Sequence, residues 1–238
     1  MPIIPEKMFM PPGDRQTSIR TTEAEFLCAF LRERRITRTL EVGFAYGYSA
    51  ASIISATASK HVVIDPHPER YQDLGAKNLA ALGFADLYEL RKASSHVALP
   101  ALVQEGRMFQ FIFIDGGHKF DQIFVDWYYS DLLLENGGYV VFHDSWMRST
   151  QVVTEFVRTN RSNYKEVSIP LKSLVVFEKI AESDNRTWDH FREFNTPSLS
   201  RLYSNAHNRL KRALARIKRH LAARAGGRQE HPDSSLRT

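Results

Sequence analysis

Residues 39–49, TLEVGFAYGYS, decide the fold of this chain. An apolar strand leads into a glycine-containing turn, and a helix begins where the turn ends. A helix N-terminus presents backbone N–H groups without intrahelical partners, and these attract polar and anionic groups. One carboxylate, Glu41, lies in the strand. A second, Asp65, closes the next predicted strand, where it can accept hydrogen bonds from two ribose hydroxyls. The pattern therefore predicts a site for an adenosyl cofactor.

Strand and helix signals alternate on both sides of this turn. Apolar runs with helical segments between them predict five strands: 37–43, 61–65, 86–90, 111–115 and 138–143. Such alternation is typical of a parallel sheet covered by helices. Two further strands, 164–169 and 173–179, are separated by only three residues, which permits an antiparallel hairpin but no parallel crossover. We predict an α/β fold with a doubly wound, seven-stranded, mostly parallel sheet whose last strand is antiparallel.

Length and composition fit one such domain with two appendages. The chain has 238 residues, of which 43% are hydrophobic. We predict an N-terminal arm and helix on the substrate side (1–36), a cofactor-binding domain (37–181), and a basic helical C-terminal extension with a disordered end (182–238). The sequence has no run of about 18 apolar residues and no basic-then-apolar leader, so a cytoplasmic protein is expected.

Positive charge is concentrated in the tail. Residues 201–238 hold ten Lys and Arg against two acids, whereas the rest of the chain carries a net charge of −3. An apolar stripe recurs among these charges at helical spacing: Leu210, Leu214, Ile217 and Leu221. Two uses of this helix stay open. It can pack on the core or on a second subunit, in a homodimer formed through the N- or C-terminal helices, or residues 205–224 can contact an anionic membrane. Nucleic acid is not an expected partner, because no aromatic platform accompanies the charges.

The turn itself discriminates between adenosyl cofactors. A dinucleotide-binding turn needs a glycine in its middle position, so that the pyrophosphate can approach the backbone. Ala45 stands at that position here, and the aromatic side chains of Phe44, Tyr46 and Tyr48 crowd the turn. A diphosphate fits this turn poorly, and a sulfonium amino acid fits it better.

The segment from Glu41 to Ser49 resembles the first motif of class I S-adenosylmethionine (SAM) methyltransferases. The resemblance is to the catechol O-methyltransferase group and related small-molecule O-methyltransferases acting on sugars or natural products, and similar spacing extends over roughly 37–181. It implies a Rossmann-like methyltransferase fold and SAM as the cofactor. By position, Asp65 would bind ribose, Ser94 would lie on the adenine side, and the turn would hold the methionine end: Glu41, Gly43, Tyr46 and Ser49. Judged without the resemblance, a structural role explains these residues equally well: Glu41 would cap backbone groups and Gly43 would merely turn the chain.

Two acids follow the two most apolar strands, Asp115 after 111–114 and Asp144 after 138–143. Adjacent parallel strands would bring these carboxylates together, and two facing carboxylates repel unless a proton or a cation lies between them. Oxygen ligands suit Mg²⁺, Ca²⁺ or Mn²⁺. Metal-dependent O-methyltransferases are similar here, which implies Asp115, Asp144 and Ser145 as ligands, with Ser145 where asparagine is usual. Alternatively, Asp115 binds the SAM amine and Asp144 caps a helix.

His118 is the predicted general base, with Asp115 and Asp144 as its catalytic neighbours. The stretch from Asp115 to Phe120 resembles an Asp-Gly-x-His-x-aromatic pattern of sugar and antibiotic methyltransferases. A histidine can take a hydroxyl proton near neutral pH, or it can merely orient Asp115. His143 is expected to face away from Asp144 if the strand continues, and either to serve packing or to support the site residues without touching the ligand. The resulting prediction is methyl transfer to a hydroxyl of a small-molecule acceptor. The alternatives are a non-catalytic adaptor that binds through its tail, and an N-methyltransferase, which the absence of an Asn/Asp-Pro-Pro-Tyr motif disfavours.

Overall fold

A computed structural model describes residues 8–182, 184, 186–195, 211 and 214. Its strands are β1 (Thr39–Val42), β2 (His61–Ile64), β3 (Tyr88–Arg91), β4 (Phe109–Ile114), β5 (Leu134–Phe142), β6 (Tyr164–Val167) and β7 (Val175–Lys179). Its longer helices are α1 (Thr21–Glu33), α2 (Tyr48–Thr57), α3 (Leu74–Ala81), α4 (Ser95–Gln104), α5 (Phe120–Leu133) and α6 (Arg148–Asn160).

The seven strands form one sheet in the order β3-β2-β1-β4-β5-β7-β6. Strands β1 to β5 pair in parallel, and β7 runs antiparallel to both of its neighbours. The predicted doubly wound sheet with an antiparallel last strand is therefore confirmed. The strand order reverses between β1 and β4, and ligands of doubly wound sheets bind at that point, beyond the carboxyl ends of the strands.

Strand β4 lies at the centre of the core and is apolar because both of its faces are covered. Phe111 and Phe113 pack on one side with Leu27 of α1, whereas Ile112 packs on the other side with Trp127 of α5. The helix α1 therefore belongs to the core of the sheet.

The chain divides into two compact units, Met1–Thr196 and Pro197–Thr238. The predicted apolar stripe of the tail and the predicted membrane contact at 205–224 lie outside the described residues, apart from Lys211 and Leu214, which are helical and exposed. Within the part of the chain that the structure describes, no helix is long and apolar enough to cross a membrane. The predicted boundaries at 36 and 181 stay predictions.

Candidate active site

The turn after β1 lies directly against the end of β4. Gly43 has a φ of 102°, and a Cβ at this position would lie 2.3 Å from the backbone oxygen of Asp115. Only glycine fits, because a side chain would both clash with backbone and adopt a left-handed conformation. The turn and Asp115 therefore form one continuous surface at the carboxyl edge of the sheet.

Glu41 and Ser49, which were predicted near the methionine end of the cofactor, are hydrogen-bonded to each other. The second carboxylate oxygen of Glu41 lies 3.0 Å from Nε2 of His61, and Nδ1 of His61 lies 2.8 Å from Oγ1 of Thr39. Glu41 is 1% exposed, and burial raises the pKa of its carboxyl group in spite of these partners. The buried chain of contacts holds Ser49 at the start of α2; direct cofactor contact by either residue stays a prediction.

Asp65 also acts on the turn. One carboxylate oxygen accepts hydrogen bonds from the backbone N–H groups of Phe44 (3.1 Å) and Ala45 (3.2 Å), and the other accepts one from that of His67 (2.8 Å). The side chain thus connects the ends of β1 and β2. For Asp65 to bind ribose as predicted, a ribose hydroxyl would have to donate to a carboxylate oxygen that already accepts from these N–H groups, or replace one of them.

The N-terminal arm covers Tyr46. The Tyr46 hydroxyl donates to the Asp14 carboxylate, and its ring packs edge-on against Tyr71. Burial and the nearby Asp14 raise the pKa of Tyr46 to about 12, so the phenol stays protonated. The arm is held by Asn78 of α3, whose side-chain amide exchanges two hydrogen bonds with the backbone of Phe9 (2.8 and 2.9 Å).

Ser94, the predicted adenine-side residue, precedes α4, and its carbonyl accepts the backbone N–H of Val97 at 2.9 Å. The next residue, Ser95, faces Asp126 of α5. Asp126 is 1% exposed, and burial raises its pKa to about 6. Sequence reasoning missed this acid, because it lies in the middle of a helix and only helix packing brings it to Ser95.

Asp115 and His143 lie side by side at the edge of the sheet. Val42, Ile114 and Phe142 are paired in register, so the residues that follow them end at the same level. Nδ1 of His143 is 2.8 Å from Oδ1 of Asp115 and 3.6 Å from Oδ1 of Asp144. His143 thus faces both acids, so the expectation that it would face away from Asp144 is wrong, whereas the alternative that it supports the site residues agrees with its contact to Asp115. The strand ends at Phe142, so the alternation of side chains does not extend to His143.

A third carboxylate reaches His143 from α1. Oε2 of Glu23 lies 3.3 Å from Nε2 of His143. Burial lowers the pKa of His143, but the carboxylates of Asp115, Glu23 and Asp144 outweigh it and raise the pKa to about 11. The raised pKa favours the cationic form of His143 at neutral pH, in a largely enclosed position among three acids. Neither Glu23 nor this role of His143 was recognisable from the sequence, because 120 positions separate the two residues.

His118 and Asp144 form a second pair. Nε2 of His118 lies 2.9 Å from Oδ2 of Asp144, and the indole N–H of Trp146 donates to Oδ1 of Asp144 at 2.8 Å. Burial raises the pKa of Asp144, but the bond to His118 and the charge of His143 outweigh it and lower the pKa to about 2. The side chain of His118 is 44% exposed. His118, Asp115 and His143 line one cleft together with Phe142 and Thr150.

The structure brings two of the three predicted metal ligands together with His118. Single ligand atoms of Asp115, His118 and Asp144 all lie within 4.8 Å of one another. The hydroxyl of Ser145, which was predicted as the third ligand, instead donates to the backbone carbonyl of Lys172 at 2.5 Å. Two carboxylates and one imidazole are therefore close enough to share one ion.

Comparison with known proteins agrees with this fold. Residues 40–145 match the family model of a methyltransferase domain. The O-methyltransferase TomG from Streptomyces achromogenes, solved with SAM, is similar with a TM-score of 0.62 and 20% identity, over 70% of this chain and 83% of that chain. An O-methyltransferase from Bacillus cereus, solved with S-adenosylhomocysteine (SAH), is similar with a TM-score of 0.59 and 17% identity, over 68% and 83%. A Podospora anserina methyltransferase solved with SAH gives 0.62 and 14%, over 71% and 82%. No curated protein sequence matches this chain.

Proposed function

We propose that this chain, which is a class I SAM-dependent methyltransferase, transfers the methyl group to a hydroxyl oxygen of a small molecule, a sugar or a phenolic natural product. The observation that carries the proposal is the pair of His118 and Asp144 beside Asp115, at the edge of the sheet where the cofactor turn ends. The similar structures from Streptomyces achromogenes and Bacillus cereus, both O-methyltransferases, support an oxygen acceptor.

His118 is the general base of the proposed reaction. A carboxylate such as Asp144 only accepts hydrogen bonds, so the proton of neutral His118 lies on Nε2 and the lone pair lies on Nδ1. The acceptor oxygen attacks the methyl carbon while the C–S bond breaks, with its electron pair going to sulfur. The hydroxyl proton passes to Nδ1 of His118, and the adjacent Asp144 carboxylate stabilises the imidazolium that forms.

Asp144 is itself held in place. Its backbone has a φ of 51°, a left-handed conformation that aspartate tolerates, and its carbonyl accepts the N–H of Met147 at 2.8 Å. Together with the bond from Trp146, this geometry fixes the carboxylate that orients His118. Alignment of acceptor oxygen, methyl carbon and sulfur supplies most of the remaining catalysis, since SAM already carries the driving force.

A divalent cation is a second candidate component, favoured by the cluster of Asp115, His118 and Asp144. A donor set with one imidazole fits Mn²⁺ better than Mg²⁺ or Ca²⁺, which prefer oxygen ligands. When bound, the ion would lower the pKa of the acceptor hydroxyl. This candidate predicts that Mn²⁺ binds to the wild-type protein in calorimetry and that Asp115→Asn abolishes the binding. Methyl transfer that is indifferent to chelator and Mn²⁺ would remove the ion from the reaction.

The function is tested first by calorimetry with SAH and then with methyl-labelled SAM and a panel of phenols, sugars and amines. We expect SAH binding by the wild type, and loss of methyl transfer by roughly 10²- to 10⁴-fold in His118→Ala and Asp144→Asn, with SAH affinity retained. The control is His190→Ala, because His190 takes no part in the cluster. A wild type that does not bind SAH would overturn the proposal, and labelling of amines alone would favour the N-methyltransferase alternative.

A further inference from the structure

Glu23 connects three parts of the chain next to the candidate active site. It lies in the first turn of α1, outside the matched domain at 40–145, and is 2% exposed. Its carboxylate accepts hydrogen bonds from the backbone N–H of Arg20 (2.6 Å) and from the hydroxyl of Ser173, which precedes β7. The same carboxylate faces Nε2 of His143 at the end of β5. A buried carboxylate with three such partners is fixed in position.

His143 transmits this position to Asp115. Each of its ring nitrogens faces a carboxylate, Nε2 that of Glu23 and Nδ1 that of Asp115. The ring also packs edge-on against Phe113, with 5.9 Å between the ring centroids. Rotation of the ring would therefore break both ion pairs together. Glu23, His143 and Asp115 form a linear arrangement that runs from α1 to the turn at Gly43.

We propose that Glu23 is a positioning residue for the cofactor, acting through His143 to hold Asp115 where it receives the methionine ammonium of SAM. This rests on the proposed function. Nδ1 of His143 lies 2.8 Å from Oδ1 of Asp115, so that the other carboxylate oxygen would serve the ligand, and the backbone oxygen of Asp115 adjoins the turn at the predicted methionine end. Three carboxylates around one imidazole also leave excess negative charge, which suits a ligand with an ammonium and a sulfonium group.

Two probes separate positioning from general structural support. SAH carries the amino-acid group, whereas 5′-deoxy-5′-methylthioadenosine keeps the adenosine and the thioether without it. We expect Glu23→Gln to weaken SAH binding about tenfold and to leave methylthioadenosine binding unchanged, since loss of an outer partner disturbs only the group that it orients. Glu25→Gln, on the exposed face of the same helix, is the matched control and should alter neither affinity.

A double-variant cycle tests whether Glu23 acts through His143. If it does, Glu23→Gln should add little to the loss that His143→Asn already causes. The double variant Glu23→Gln/His143→Asn also serves if Glu23→Gln alone fails to fold, because it removes both members of the Glu23–His143 ion pair together and leaves neither of these two charges facing a neutral partner. It should bind SAH about tenfold more weakly than wild type and methylthioadenosine equally well.

The outcomes are distinguishable. Equal weakening of both probes, additive losses in the cycle, or unchanged SAH affinity in folded Glu23→Gln would overturn the positioning role while leaving the proposed function standing. A wild-type protein that binds neither probe would overturn the proposed function itself.

Discussion

Replacing His143 with asparagine should flatten the dependence of stability on pH above neutrality. In the folded protein the three surrounding carboxylates outweigh burial and raise the pKa of His143 from 6.5 to about 11. The folded state therefore binds this proton more tightly than the unfolded state does. The resulting stabilisation is fully present below pH 6.5 and is lost as the pH rises towards about 11.

The slope follows from one proton. Between the two pKa values the folded protein holds one proton more than the unfolded chain, so the free energy of unfolding falls by about 1.4 kcal/mol per pH unit. From about pH 7.5 to about pH 9.5, His143 alone removes about 3 kcal/mol from the wild type and nothing from His143→Asn. The pKa of Asp144 is lowered to about 2, so its contribution is lost only as the pH falls from 3.8 towards 2, outside this window.

Urea unfolding followed by tryptophan fluorescence, in buffers with chelator, measures this difference. The free energy of unfolding of wild type minus that of His143→Asn should shrink steadily across the window, because His143 is the titrating group that only the wild type possesses. The control is Glu25→Gln, because Glu25 lies on the exposed face of α1. Its free energy of unfolding should change with pH as that of the wild type does. A difference between wild type and His143→Asn that does not change with pH would refute a buried charged His143.

Three further predictions concern the turn at Gly43, the N-terminal arm and the exposed Trp188. Gly43→Ala should lower the free energy of unfolding by about 2–4 kcal/mol and abolish SAH binding, because its Cβ meets the backbone of Asp115; an unchanged urea midpoint would contradict this. Asn78→Ala should speed limited proteolysis of the arm about tenfold, since the hydrogen bonds to Phe9 are lost; equal rates would argue against this attachment. If the protein contacts anionic membranes, Trp188, 99% exposed, should shift its fluorescence to shorter wavelength with anionic but not neutral vesicles; no shift would count against the contact.

Much of the fold followed from local patterns. Strand β4 was predicted from its apolar run, and the three-residue connection before β7 predicted the antiparallel hairpin; both are confirmed. The adjacency of the strands that precede Asp115 and Asp144 is confirmed as well. These features depend on hydrophobic runs and connection lengths, which neighbouring residues in the chain determine.

Contacts within the site were harder to predict. His118 and Asp144 were singled out separately, but their pairing depends on the loops after β4 and β5. Ser145 was matched to a ligand position, yet its hydroxyl donates a hydrogen bond to the backbone carbonyl of Lys172, in the connection before β7. A position in a motif does not determine the direction of a side chain on a loop.

The sequence by itself determined the order of strands and helices along the chain, the glycine-containing turn after β1 and the acids at the strand ends, because these follow from short-range periodicity and residue type. Only the tertiary structure decided which charged groups face one another. Glu23, His143 and Asp115 come from three distant segments, and the packing of α1 against the sheet and the register of β4 with β5 bring them together. A buried charge needs an opposite partner, and which segment supplies that partner is decided by packing across the whole domain.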